Sequence, residues 1–141
     1  MNSASLVLLA AGLVGSAHGS PSPRAVVRAM FDAFNRHDAA AMARLYASDA
    51  RLASSDFCAV RTGPNEVLRT YRELFAAFPD IRDDVISIVI DGDQAAVRFT
   101  SSSDAPEHKF RLELMTYFRF GDRLIVEDDT IFDTQGRPCE S

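Results

Sequence analysis

A chain of 141 residues that is 47% hydrophobic and 25% charged carries enough apolar material for one core and too little length for a second domain. Its 15 basic side chains are scattered among 20 acidic ones, for a formal net charge of −5, which excludes the clustered positive surface that phosphate backbones require. No nucleic-acid partner is expected.

The amino terminus reads as an export signal. Leu6 to Val14 is an unbroken apolar run, too short for a bilayer span of roughly 20 residues, and small residues ending at Ala17-His18-Gly19 follow it as a cleavage site does. Residues 1–19 are therefore expected to be a signal peptide and residues 20–141 the mature domain, secreted or periplasmic and with no membrane contact after cleavage. No Lys or Arg stands in residues 1–5, so only the terminal amine supplies the positive charge that normally precedes such a run. The chain has two cysteines, Cys58 and Cys139. An oxidising compartment favours joining them, which would pin the C-terminal tail over a central loop; two unrelated thiols are the alternative.

Within the mature chain, Ser22-Pro23 supplies a cap and a first-turn proline. Val26, Val27, Met30, Phe31 and Phe34 then recur at helical spacing, which predicts a first helix to about His37. Asp38 can cap a shorter second helix with Met42, Leu45 and Tyr46 on its apolar face. A short strand is expected over Ala50 to Ser54. Gly63-Pro64-Asn65-Glu66 starts a third helix with its acid near the positive end, and the stripe Val67, Leu68, Tyr71, Leu74, Phe75 and Phe78 runs until Pro79 stops it.

Strands fill the second half. Val85 to Ile90 is β-branched, and Asp91-Gly92-Asp93 turns it into Gln94 to Ser101. A long strand from His108 to Phe120 turns at Gly121-Asp122 into Leu124 to Phe132. In the long strand Phe110, Leu112, Leu114, Thr116, Phe118 and Phe120 share one face, and Arg111, Glu113, Met115, Tyr117 and Arg119 the other. The first face is a core wall; the second is mixed, suited either to line a pocket or to meet a second copy of the chain. Helices that precede a sheet bury their stripes by lying across one of its faces. The order thus predicts an α+β domain whose sheet curls around the helices and keeps a pocket for a small hydrophobic molecule.

This order of helix, helix, strand, helix and strand meander resembles the nuclear transport factor 2-like superfamily, and within it the SnoaL-like polyketide cyclases. The local matches are Phe34-Asn35-Arg36-His37-Asp38, Leu45-Tyr46-Ala47 with Asp49, Phe75-Ala76-Ala77-Phe78-Pro79-Asp80, and Ile125-Val126-Glu127 leading to Phe132-Asp133. The resemblance implies a cone-shaped, usually dimeric domain of three N-terminal helices packed on a curved, mostly antiparallel sheet, with a pocket between sheet and helices; if the chain forms a homodimer, the outer sheet face is the candidate surface. It fixes no reaction, because the family holds cyclases, isomerases, epoxide hydrolases, dehydratases and members without known activity.

Catalytic members resembling this chain commonly carry an Asp in His-Trp-Asp or Trp-Arg-Asp after the Ile-Val-Glu-like segment; at that position stands Thr130. Alternation puts Asp128 on the face of Thr130 and Phe132. If that face lines the pocket, Asp128 is a carboxylate in apolar surroundings with a pKa raised toward the range useful for proton transfer; otherwise Glu127, Asp128 and Asp129 form a solvated patch. Arg98, on the strand face of Ala96 and Thr100, is either the partner of a pocket Asp, as in epoxide-hydrolase-like members, or an exposed strand residue. Phe34, Tyr46, Tyr71, Met115, Tyr117, Thr130 and Phe132 are candidate ligand contacts. His37 closes a helix, where its charge favours the dipole. Asp80, Asp83 and Asp84 lack the Gly and Glu placement of a calcium loop, so no metal is expected, and no cofactor. Two functions follow: an exported SnoaL-like protein that binds a small hydrophobic molecule, which Thr130 favours, or a cofactor-independent isomerase, cyclase or epoxide hydrolase-like enzyme using Asp128 as general acid and base.

Overall fold

The computed structural model describes residues 19–140; apart from Gly19, the expected signal peptide lies outside them. The elements run α1 (Pro23–Asn35), α2 (Ala39–Ala43), β1 (Tyr46–Ser54), β2 (Arg61–Thr62), α3 (Pro64–Ala77), β3 (Arg82–Asp91), β4 (Gln94–Ser103), β5 (Phe110–Gly121) and β6 (Leu124–Ile131). No described helix is long and apolar enough to cross a membrane.

The helix starts are set as the sequence dictates. The Ser22 hydroxyl accepts from the Ala25 amide at 3.2 Å, and Asp38 accepts from the Ala41 amide at 2.8 Å, each satisfying an amide that the helix leaves unpaired. Gly63 precedes α3 at φ 85°, and a Cβ there would stand 2.8 Å from the Ser48 carbonyl oxygen, so only glycine fits between β1 and the helix.

The six strands order as β2-β1-β6-β5-β4-β3. All neighbours are antiparallel except β1 and β6, which run parallel. Irregular register in β1, in β3 and between β5 and β6 adds local twist to this curved sheet. The helices cover one face. Val27, Met30, Phe31 and Phe34 from α1, Met42 from α2 and Val67 from α3 pack there with Val97, Phe99, Phe118, Phe120 and Ile125 from the strands. The α+β class, the three helices and the hairpin order are as expected from the sequence.

Three details differ. Tyr46 opens β1 instead of closing α2: the helix ends after five residues, and the Leu45 carbonyl already accepts from the Ile125 amide at 2.8 Å, which draws the chain into the sheet. The short strand β2 escapes pattern reading because two residues show no period. β3 begins at Arg82, since Asp83 and Asp84 pair with Ser101 and Thr100 although acids are poor strand formers. Cys58 and Cys139 are joined, with Cα atoms 4.9 Å apart. The tail is fastened further by Glu140, whose carbonyl accepts from the Cys58 amide at 2.9 Å and whose amide donates to the Asp56 carbonyl at 2.6 Å.

Candidate functional site

Between the helices and the inner face of the sheet lies a cavity of about 30 Å³, room for a group the size of one water molecule. The hollow expected for a hydrophobic molecule is therefore largely filled, and the filling is aromatic. Phe31 meets Phe99 edge to face at 5.0 Å, and Phe34 meets Tyr71 at 5.9 Å and Phe75 at 5.2 Å. Against this wall stands a polar floor made by Asp83, Thr116, Asp128 and Thr130.

Asp128 is 2% exposed because it lies in the middle of the sheet, between Leu52 of β1 and Phe118 of β5. Both its oxygens accept hydrogen bonds: Oδ2 from the Tyr46 hydroxyl at 2.6 Å and Oδ1 from the Thr116 hydroxyl at 2.8 Å. Thr130 donates in turn to Thr116 at 3.1 Å. Burial pushes the Asp128 pKa up to about 6, against the downward pull of the Tyr46 and Thr116 hydrogen bonds. Burial, and then the Asp128 charge, raise Tyr46 well above the ordinary phenol value, so it stays a proton donor. The sequence counted Tyr46 as a helical ligand contact; its position at the start of β1 makes it the partner of Asp128.

Asp83 is the residue that pattern reading missed. It is 6% exposed, and burial pushes its pKa up to about 7, with the Ser101 hydroxyl pulling down and the Asp84 charge pushing up. Two 2.8 Å bonds with Asn35 hold its backbone: the side-chain Nδ2 donates to the Asp83 carbonyl, and Oδ1 accepts from the Asp83 amide. His37, at φ 55°, donates from Nε2 to the Ile81 carbonyl at 2.8 Å and stacks on Phe75 at 4.5 Å. Asn35 and His37 thus lock the end of α1 to the start of β3. Alternation could not have found it: counted back from Ile90 and Ile88 it turns Asp83 outward, and the register shift between Val85 and Ser87 brings Asp83 opposite Ser101 on the inner face. Its acidic neighbours are occupied elsewhere, Asp80 by Ser103 and the Asp104 and Ala105 amides, Asp84 by Arg82. Among the described residues no group of three or more His, Cys, Asp or Glu is placed to hold a metal.

Of the candidate residues, Phe34, Tyr71, Asp128 and Thr130 meet at the cavity, and Tyr46 reaches it through Asp128. Arg98, Met115 and Tyr117 do not. Their inward neighbours Val97, Phe99, Thr116 and Phe118 are buried, which leaves these three on the outer face. Arg98 pairs there with Glu113 at 2.6 Å, far from Asp128 in role and place, and Met115 is 49% exposed. Phe132 falls just past β6, half-buried, with its amide donating to the Ser55 hydroxyl at 3.0 Å.

Residues 27–128 match the family model described as the SnoaL-like domain. No curated protein is significantly similar to the chain in sequence. Among solved structures, an NTF2-like protein of unknown function from Cytophaga hutchinsonii superposes with a TM-score of 0.69 at 10% identity, over 84% of this chain and 96% of its own. A loop-truncation variant of IdmH gives 0.71 at 26% identity, over 81% and 94%. A Sinorhizobium meliloti protein described as a polyketide cyclase gives 0.62 at 26% identity, over 74% and 92%.

Proposed function

Because the chain belongs to the SnoaL-like domain family, we propose that it is a cofactor-independent acid-base enzyme acting on a small carbonyl-bearing molecule, with Asp128 as the proton carrier. The observation that carries this function is the buried Asp128 carboxyl at the cavity floor, held at both oxygens by Tyr46 and Thr116. A carboxyl with a pKa near 6 exchanges protons with substrate near neutral pH, and a positioned group of this kind accelerates proton transfer by roughly 10² to 10⁴. Tyr46 and Thr116 fix its orientation. A passive carrier of hydrophobic molecules is less well supported, since it gives the buried, doubly hydrogen-bonded carboxyl at the cavity floor no task; the cavity of about 30 Å³ has to widen for any ligand. A substrate enters by displacing the aromatic rings of α1 and α3. The polyketide cyclase description of a relative at 26% identity supports carbonyl chemistry.

The test is deuterium uptake from D2O at the carbon beside the carbonyl of cyclopentanone, followed by proton NMR. The protein should exceed the buffer rate, and Asp128→Asn, with its circular dichroism unchanged, should fall back to it. Equal rates for protein and variant would refute the assignment.

Export and pairing belong to the same proposal. The Cys58–Cys139 bond is compatible with an extracellular or periplasmic location and supports residues 1–19 as a signal. The exposed Ile86, Val89, Met115 and Ile131 on the strands support a homodimer through the outer sheet face.

A further inference from the structure

Asp83 has no part in the chemistry assigned above, yet it lines the same cavity as Asp128. Among the described residues its Oδ1 is the only buried side-chain polar atom without a hydrogen-bond partner. Leaving a carboxyl oxygen bare in the interior is costly, and here the cost is built in, because Asn35 grips the Asp83 backbone on both sides while His37 holds Ile81 two residues earlier. Those contacts hold the Asp83 backbone with its side chain on the inner face of the sheet.

No residue lining the cavity carries a positive charge; Arg82, the preceding residue, is exposed and paired with Asp84, and His37 is spent on the Ile81 carbonyl. Asn35 of α1 is neutral and spent on the backbone. Tyr71 of α3 is raised well above the ordinary phenol value by burial and then by the charges of Asp128 and Asp83, so it too is neutral. Ser101 of β4 is the cross-strand partner, Thr116 comes from β5 and Asp128 from β6, and Asp84 follows on the same strand. The two carboxyls differ in their hydrogen bonding. Asp128 accepts a donor at each oxygen, the arrangement of a carboxylate. Asp83 keeps one oxygen free, the arrangement of an acid with a proton to give.

We infer that Asp83 is a second catalytic carboxyl of this cavity, its free oxygen meeting the carbonyl oxygen of an uncharged substrate while Asp128 handles the carbon-bound proton. The inference rests on the acid-base assignment of Asp128. In the forward step the Asp128 carboxylate takes a proton from the carbon beside the carbonyl. The C–H pair becomes the C=C bond, the carbonyl π pair moves to oxygen, and that oxygen takes the proton of Asp83. The product is an enol between a protonated Asp128 and an ionised Asp83; reversal returns both protons, to the same carbon or to another along the conjugated chain. Two acids and no cation repel carboxylates and phosphates, so the substrate class is neutral carbonyl compounds. Burial holds Asp83 up to about 7, which keeps its proton available in the window where Asp128 has begun to ionise.

The experiment follows deuterium uptake by cyclopentanone against pH for the full chain, Asp83→Asn and Asp128→Asn, together with carbon-13 NMR of the aspartate carboxyls during cyclopentanone and cyclopentanecarboxylate additions. Asp83→Asn should lower the rate at least tenfold and remove the fall in rate above about pH 7, leaving the rise at lower pH. The Asp83 carboxyl resonance should move on adding the ketone and stay still on adding the carboxylate. If Asp128→Asn abolishes uptake while Asp83→Asn keeps both the rate and the fall above pH 7, Asp83 is no catalyst and the Asp128 assignment stands. If Asp128→Asn exchanges as fast as the full chain, or the full chain does not exchange at all, the Asp128 assignment fails, and the chemistry inferred for Asp83 fails with it. An Asp83 resonance unmoved by the ketone overturns the inference by itself.

Discussion

Replacing Asp83 with Asn should remove a specific loss of stability that sets in as pH rises. In the unfolded chain this carboxyl titrates near its ordinary 3.8, and in the folded protein near 7. Between those values the folded state keeps a proton that the unfolded state has released, so stability falls with rising pH across the interval and the full penalty applies above it. The interval from 3.8 to about 7, at about 1.4 kcal/mol per unit, amounts to about 4 kcal/mol. Asn cannot ionise. Its amide, without new partners, adds a pH-independent cost of about 1 to 3 kcal/mol. The variant should thus be the less stable protein at pH 4 and draw level with or overtake the parent by pH 8. Urea unfolding at half-unit steps from pH 4 to 8 measures this directly, and the difference between the two curves isolates Asp83 because Asp128 is common to both. A difference that stays constant within about 1 kcal/mol would refute the claim that Asp83 is buried without compensation.

Tyr46→Phe removes one of the two donors to Asp128; it should destabilise by about 1 to 3 kcal/mol and move the Asp128 carboxyl titration, read by carbon-13 NMR, to higher pH. Reduction of the Cys58–Cys139 bond opens a link spanning 81 residues and should cost about 4 to 5 kcal/mol on the chain-entropy account, visible as a lower urea midpoint in reductant. Ile131→Glu places a charge on an outer-face residue that is 60% exposed; on the proposed pairing of outer sheet faces it should shift the mass measured by light scattering from dimer to monomer with little change in melting temperature, and a parent protein that is already monomeric refutes the pairing.

The fold was legible because burial leaves a period. Val26, Val27, Met30, Phe31 and Phe34 mark α1 by spacing alone, and the alternation from Phe110 to Phe120 marks the inner face of β5. Asp128 was legible by the same alternation. Arg98 was not, because its direction depends on which of two polar-looking faces of β4 meets the helices, and that is decided by Val97 and Phe99 packing against α1. Tyr46 was placed on a helix because Met42 and Leu45 extend the period through it, whereas pairing with Ile125, a contact far away in the chain, takes it into the sheet. Asp83 was hidden for the opposite reason: an acid among acids looks solvated, and only Ser101 and Asn35, both distant in sequence, bury it. The closing of the cavity by aromatic rings was also beyond the pattern, which counts apolar residues but not the volume they fill.

The parallel pairing of β1 with β6 sets a rule of timing. The hydroxyl of Tyr46 and the carboxyl of Asp128 lie 82 positions apart, and they meet only when the last strand has slotted in beside the first. A nascent or clipped polypeptide lacking that strand leaves the Tyr46 hydroxyl without its carboxylate partner. Such closure between remote segments slows folding, so the Tyr46–Asp128 pair is completed only once the whole chain is present and folded.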